Sequence, residues 1–212
     1  MLASRKATAV HVASYVPVPA TIESKAYFEI ALAAQTKELQ QFCAGVGEPV
    51  HVVGHSLGGW MARQLTERNP GLVDRCFLLF PFLSRPALRG MAVLHLARHL
   101  HKIPFILKTR RLVEKFFSEL RYVSEEELCL CLGLAFHEYA VLGQNHQLPM
   151  IAADLRRKFH AIYRDGDTWF PTTTALHVTG QISCEKTTAL HDFIVSRAGR
   201  DSVFASMLKV LG

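Results

Sequence analysis

The pentapeptide Gly54-His55-Ser56-Leu57-Gly58 constrains the fold of this 212-residue chain more than any other feature. It matches the pattern G-x-S-x-G and lies between an apolar stretch and a segment of helical character. In a strand–turn–helix context, this pattern forms a sharp turn that raises the serine hydroxyl above the end of a strand. Such a turn needs small residues two positions before and two positions after the serine. The motif therefore predicts an α/β sheet with Ser56 as a nucleophile.

The turn also predicts where negative charge can be stabilised. The backbone N–H of Leu57 would lie at the N-terminus of the helix that follows the serine. N–H groups at a helix N-terminus favour negative charge and can hold the oxyanion of a tetrahedral intermediate. We therefore predict Leu57 as an oxyanion donor.

A serine nucleophile needs a histidine base and a carboxylate that orients the base. In chains with this turn, the order is serine, then the acid, then histidine. The stretch Phe159–Arg164 reads as a late strand, and Asp165-Gly166-Asp167 forms the turn after it. Asp167 is the favoured acid, and Asp165 is the alternative.

The base should follow the last strand of the sheet. Ile182–Lys186 reads as that strand, and His191 lies in the loop after it. His177 would be the base only if Thr174–Val178 were the last strand. His55 lies too close to the serine to act as its base.

Strands and helices alternate along most of the chain, which is typical of an α/β fold with a largely parallel sheet and helices on both faces. The predicted elements before the middle of the chain are a strand Thr8–Val16, a helix Ile22–Ala44 ended by Gly45, a strand Val50–Val53, a helix to about Arg68 and a strand Asp74–Phe82. A helical block from about Ser84 to Leu155 follows, and Asp201–Leu211 reads as a closing helix. We expect a first core part at 1–84, a helical cap at 85–155 and a second core part at 156–212.

The excess of basic residues is local. The chain has a net charge of +6, and residues 85–115 hold eight Lys and Arg residues against one Glu. An apolar series of helical spacing runs through the same segment: Val93, Leu96, Leu100, Ile103 and Leu107. A basic amphipathic helix of this kind can lie on an anionic lipid surface, although the same stripe can simply pack on a core. No recognised nucleic-acid-binding motif accompanies the charge, so we expect no nucleic-acid partner.

Composition argues against metal sites, disulfides and membrane-spanning helices. Five cysteines without C-x-x-C spacing argue against a zinc site and a disulfide framework, and favour a reducing compartment. No apolar run approaches the roughly 20 residues that a membrane-spanning helix needs. We expect neither a metal nor an organic cofactor.

Several stretches resemble the lipid-droplet-associated hydrolase family, a branch of the α/β-hydrolases. They occur in the family's order: Val52–Gly58 resembles its nucleophile turn, Phe77–Pro81 the next strand, Asp167–Pro171 the acid turn, and Cys184–Lys186 with His191–Ile194 the last strand and the histidine loop. The resemblance implies Ser56, Asp167 and His191 as a catalytic triad. It also implies lipid droplets and the cytosolic face of the endoplasmic reticulum as the location, with sterol or glyceride esters as substrates.

The chain departs from the family's pattern at its beginning. Nothing ahead of Ser56 offers the Gly/Pro-rich loop that supplies a second oxyanion donor in the family, and the sequence is expected to lack the N-terminal strands. We therefore predict an N-terminally truncated α/β-hydrolase that acts as a serine esterase on lipid esters. The alternatives are a weakly active or inactive lipid-droplet-binding protein and a soluble hydrolase of small esters or thioesters.

Overall fold

A computed structural model describes residues 10–12, 23–100, 134, 136–143, 150–191, 194 and 196–211 of the chain. Its strands are β1 (Val50–His55), β2 (Val73–Leu79), β3 (Phe159–Tyr163) and β4 (Ser183–Lys186). Its α-helices are α1 (Ser24–Val46), α2 (Leu57–Arg68), α3 (Leu88–Leu100), α4 (Thr172–Thr179) and α5 (Arg197–Leu211). A π-helical turn spans Tyr139–Gly143, and a 3₁₀ turn spans Arg156–Lys158.

The four strands form one parallel sheet in the order β1-β2-β3-β4. Successive side chains of β2 point to opposite faces. Cys76 and Leu78 share one apolar cluster with residues of α1, α2 and α4, whereas Phe77 and Leu79 share another with residues of α5. The sheet therefore carries helices on both faces, as the apolar strands predict, because a parallel sheet is stable only when both faces are covered.

The sequence places several element ends incorrectly. Helix α1 ends at Val46 rather than Ala44, because Gly47 and not Gly45 adopts the left-handed conformation, with a φ of 80°. The N–H of Gly47 donates to the carbonyl of Cys43, which caps the last turn. Strand β2 ends at Leu79 rather than Phe82, because Phe80 has a φ of 45° and turns the chain out of the sheet.

The predicted strand Thr8–Val16 is wrong for the residues that the structure describes there. Residues 10–12 have no regular secondary structure, and Val10 and Val12 are 81% and 82% exposed. His11 instead contacts α1, with its Nε2 3.0 Å from Glu38 Oε2. A strand is stabilised by pairing and by packing of its side chains, and these valines lie in solvent.

The helical block predicted at 85–155 is described only in part. Leu88–Leu100 and residues 136–138 are α-helical, whereas residues 150–155 form an irregular turn rather than a helix. Leu94, a buried residue of α3, joins the apolar cluster of α1. Residues 101–133 and the side chains of the predicted stripe on α3 lie outside the described part. In the described part of the chain, no helix has the length and apolar character needed to cross a membrane.

Candidate active site

Ser56 lies at the sharp turn between β1 and α2. Its backbone has a φ of 54° and a ψ of −120°, a conformation that costs on the order of 1–3 kcal/mol for a residue other than glycine. Three hydrogen bonds hold it there. Ser56 N–H donates to Leu79 O, at 3.0 Å, and the Ser56 carbonyl accepts from Gly59 N–H and Phe82 N–H, at 2.9 and 3.0 Å. Ser56 is thus fixed by β2, by the chain that follows β2 and by the first turn of α2.

Close contacts with neighbouring atoms leave no room for a side chain at two glycines of the turn, but not at the third. A Cβ at position 54 would lie 2.1 Å from the carbonyl oxygen of Gly58, and a Cβ at position 59 would lie 2.8 Å from the Cβ of Pro81. A Cβ at Gly58 would meet nothing within 4 Å. The prediction that Gly58 must be small is therefore wrong for steric reasons, and Gly59 carries that requirement instead.

The structure brings the three predicted site residues together. His191 Nε2 is 3.0 Å from Ser56 Oγ, and His191 Nδ1 is 2.9 Å from Asp167 Oδ2. Asp167 has a nearly buried side chain, at 2% exposure, whereas that of His191 is 22% exposed. The imidazole therefore links an accessible hydroxyl to a carboxylate that is shielded from water.

The hydrogen-bond partners determine the state of the imidazole. An ionised carboxylate only accepts hydrogen bonds, so the proton of neutral His191 lies on Nδ1. Nε2 then has a free lone pair facing the Ser56 hydroxyl, which donates to it. This is the arrangement that a general base needs in order to take the serine proton.

The environment of Asp167 keeps its carboxyl ionised. Burial raises its pKa and is the largest single effect, whereas the hydrogen bond and the charge of His191 lower the pKa. The backbone N–H groups of Trp169 and Phe170 add to this effect, because both donate to Oδ1, at 2.7 and 3.0 Å. The net result is a pKa below the ordinary value for Asp.

Asp165 and His177, the alternative acid and base, lie elsewhere in the structure. Asp165 lies on the exposed part of the turn, where Lys186 Nζ donates to its Oδ2 at 3.0 Å. His177 lies on α4, since Thr172–Thr179 is a helix and not the last strand. The structure therefore leaves His191 as the histidine that contacts Ser56, and Asp167 as the carboxylate that contacts His191.

Three neighbours of the site were not predicted to contribute to it. His55 Nε2 is 2.8 Å from the backbone oxygen of His191, and the Phe80 ring packs 5.7 Å from the His191 ring. Trp169 packs 6.3 Å from the same ring. Each lies within one of the sequence motifs given above, so membership of a motif was the available signal.

A model of the lipid-droplet associated hydrolase family matches residues 21–126, which is half of the chain. The chain belongs to the lipid-droplet-associated hydrolase family. The matched region contains Ser56 with its turn and extends through β2 and α3. The resemblance stated from the motifs and the expected class of enzyme, an α/β-type hydrolase, are thereby confirmed.

Solved structures share the fold of this family member. A putative non-heme bromoperoxidase from Mycobacterium tuberculosis is 18% identical, with a TM-score of 0.56 over 87% of this chain and 73% of that chain. An esterase from Exiguobacterium antarcticum is 13% identical, with a TM-score of 0.57 over 85% of this chain and 74% of that chain. At these identities the likeness establishes the α/β-hydrolase fold alone. No significant match was found among curated proteins.

This family member is shorter than the solved proteins with the same fold. It spans 71% to 74% of the length of five such chains. In the described part of the chain, no group of three or more His, Cys, Asp and Glu residues is arranged to hold a metal ion.

Proposed function

We propose that this protein is a serine esterase that hydrolyses lipid esters with Ser56, His191 and Asp167 as its catalytic triad. The observation that carries the proposal is the chain of two hydrogen bonds from Ser56 Oγ through His191 to Asp167, at 3.0 and 2.9 Å. A serine held at a strained turn, a base within hydrogen-bond reach and a buried carboxylate behind it are the parts that acyl transfer requires.

In the proposed reaction, His191 Nε2 takes the proton of Ser56 while Oγ bonds to the ester carbonyl carbon. The carbonyl oxygen becomes an oxyanion, which accepts a hydrogen bond from Leu57 N–H. The carbon–oxygen bond to the alcohol then breaks, and the alcohol leaves with the proton from His191. Water attacks the acyl-enzyme with His191 as base, which releases the acid and restores Ser56. Asp167 stabilises the imidazolium in both steps.

An apolar cluster beside the site supports a substrate whose acyl group is apolar. Leu57 and Trp169 adjoin the proposed catalytic residues, and both belong to a cluster built from α1, α2, α3 and the chain after β2. Its further members include Phe28, Met61, Phe82, Leu94 and Leu142.

We place the protein on lipid droplets and on the cytosolic face of the endoplasmic reticulum, with residues 85–115 as the contact. The family's description supports droplet association. At the start of this segment, Leu88 is 84% exposed and lies next to the exposed Arg89. An exposed apolar side chain beside cationic ones suits the surface of a lipid monolayer or bilayer.

Labelling with a fluorophosphonate probe tests the proposed activity. The wild type should react covalently, and Ser56→Ala should not react. Ser183→Ala is the matched control, because Ser183 Oγ also faces a histidine, His160 Nδ1 at 2.9 Å, but lies on β4 without the turn that activates Ser56. Ser183→Ala should label like the wild type.

The result separates the candidate functions. A folded wild type that does not label would contradict the esterase proposal and would favour an inactive lipid-droplet-binding protein. Labelling with turnover of small water-soluble esters only would favour a soluble esterase.

A further inference from the structure

His55 is the last residue of β1 and directly precedes Ser56. Its Nε2 lies 2.8 Å from the backbone oxygen of His191, 136 residues further along the chain. A carbonyl oxygen can only accept a hydrogen bond, so Nε2 of His55 carries a proton and donates it. This nitrogen is therefore engaged with the main chain of the proposed base and does not face the serine proton.

Aromatic packing supports the same contact. The rings of His55 and His191 lie 5.0 Å apart, and the Phe80 ring lies 6.3 Å from His55 and 5.7 Å from His191. Phe80 is fully buried and has a φ of 45°, so its side chain is held in place by the chain that leaves β2. The rings of His55 and Phe80 therefore pack together against the His191 imidazole, which faces Ser56.

The histidine loop is also anchored on the side nearer β4. Thr187 N–H donates to Tyr163 O at 2.8 Å, and Ala189 N–H donates to Thr187 Oγ1 at 3.1 Å. The first bond holds the start of the loop to β3, and the second fixes the turn of the loop itself. The bond from His55 holds its far end, at His191, to β1.

We propose that His55 is a positioning residue that holds the main chain of His191, so that the imidazole stays between Ser56 and Asp167. The proposal rests on the proposed esterase function. Because His55 ends β1 and Ser56 directly follows it, the same strand end sets the position of the nucleophile and that of the base. A displacement of about 1 Å in such a pair can cost on the order of 10²-fold in rate.

Three variants test this role. His55→Leu removes the donor, whereas His55→Gln keeps an amide N–H donor on a side chain of similar reach. His51→Leu is the control, because His51 lies on the same strand, is exposed, and has its Nδ1 3.6 Å from Asp74 Oδ2. For each variant, kcat and KM are measured with p-nitrophenyl butyrate. Proton NMR with ¹⁵N-labelled histidine follows the downfield signal of the His191 Nδ1 proton that is bonded to Asp167.

We expect His55→Leu to lower kcat about 10- to 100-fold with KM within about twofold, and to weaken or broaden the His191 signal. His55→Gln should recover most of kcat and the signal, and His51→Leu should match the wild type. The positioning role is overturned if His55→Leu keeps the wild-type kcat and signal, or if His55→Gln is as impaired as His55→Leu.

The NMR measurement separates this inference from the proposed function. If the wild type hydrolyses no ester but His55→Leu alone disturbs the His191 signal, the positioning role stands and the esterase proposal fails. If the wild type is active and His55→Leu changes neither measurement, the esterase proposal stands and the positioning role fails.

Discussion

Ser56 Oγ and His191 Nε2 are 3.0 Å apart although 135 residues separate them in the chain. Ser56 stands at the end of β1, and His191 stands in the loop after β4, at the opposite edge of the sheet order. The carboxyl ends of parallel strands meet at one edge of the sheet, and loops that leave this edge can converge. Asp167, in the loop after β3, completes the convergence.

Asp167→Asn should reduce kcat on the order of 10⁴-fold while leaving KM nearly unchanged. Asn at this position can offer its N–H group to Nδ1, which would move the imidazole proton to Nε2, the nitrogen that must accept the serine proton. Steady-state kinetics with a p-nitrophenyl ester provides the measurement. Asp165→Asn is the matched control, since its ion pair with Lys186 is exposed. A larger loss in Asp165→Asn would contradict the assignment.

The same carboxyl predicts a pH dependence of stability. The pKa of Asp167 is lower in the folded chain than its ordinary value, because the interactions with His191 and with two backbone N–H groups outweigh the effect of burial. Such a group stabilises the fold above its unfolded pKa of about 3.9, and this contribution is lost as the pH falls through the folded pKa. The free energy of unfolding of the wild type should therefore fall more steeply below about pH 4 than that of Asp167→Asn.

Urea denaturation at a series of pH values measures this difference. Asp165→Asn should follow the wild-type curve, because an exposed ion pair contributes about 0–1 kcal/mol. Parallel curves for the wild type and Asp167→Asn would mean that this carboxyl does not contribute to acid sensitivity.

The glycines of the turn should differ in their tolerance to alanine. Gly54→Ala and Gly59→Ala should each destabilise the fold by about 1–3 kcal/mol, because their Cβ atoms would meet the Gly58 carbonyl and the Pro81 ring. Gly58→Ala should be neutral or stabilising by up to about 1 kcal/mol, since it adds a helix-favouring residue in open space. Thermal unfolding of the three variants tests the order. Destabilisation by Gly58→Ala equal to that of Gly54→Ala would contradict it.

Binding to a lipid surface should have a salt-sensitive part and a salt-insensitive part. Each basic residue near an anionic surface contributes about 1 kcal/mol, and this attraction is screened beyond a Debye length of about 10 Å at 0.1 M salt. The charge variant replaces Arg98, Lys102, Arg110 and Arg111 with Gln. In flotation with anionic liposomes, it should bind less than the wild type at low salt, and the difference should shrink at high salt.

The apolar part of the same surface is tested with Leu88→Ser, which should reduce flotation at every salt concentration. Leu88 is 84% exposed, so the fold should persist. Leu176→Ser is the matched control, because Leu176 is a 70% exposed leucine on α4. If the charge variant and Leu88→Ser both float like the wild type, segment 85–115 does not bind lipid.

The α/β-hydrolase fold could be predicted because its signals are local. An apolar strand, a G-x-S-x-G turn and a helix follow one another within about 20 residues, and β2 and β3 contain short apolar runs. Helix α4 was not predicted as a helix, because Thr172–Thr179 is rich in β-branched residues. It forms because Thr174, Ala175 and Val178 lie on one helical face and are buried, and this packing overrides propensity.

The sequence by itself determined the order of the site residues and the turn that exposes Ser56, since both depend on neighbouring residues along the chain. The sequence favours Asp167 over Asp165, which stands two residues away, and the tertiary structure shows how differently the two carboxyl groups are placed. One turns inward to His191 and to two N–H donors, and the other lies in solvent beside Lys186. Tertiary structure also decided that Gly59 rather than Gly58 must lack a side chain, and that His55 meets the main chain of His191. These outcomes depend on distances between elements far apart in the chain, which residue spacing along the sequence does not encode.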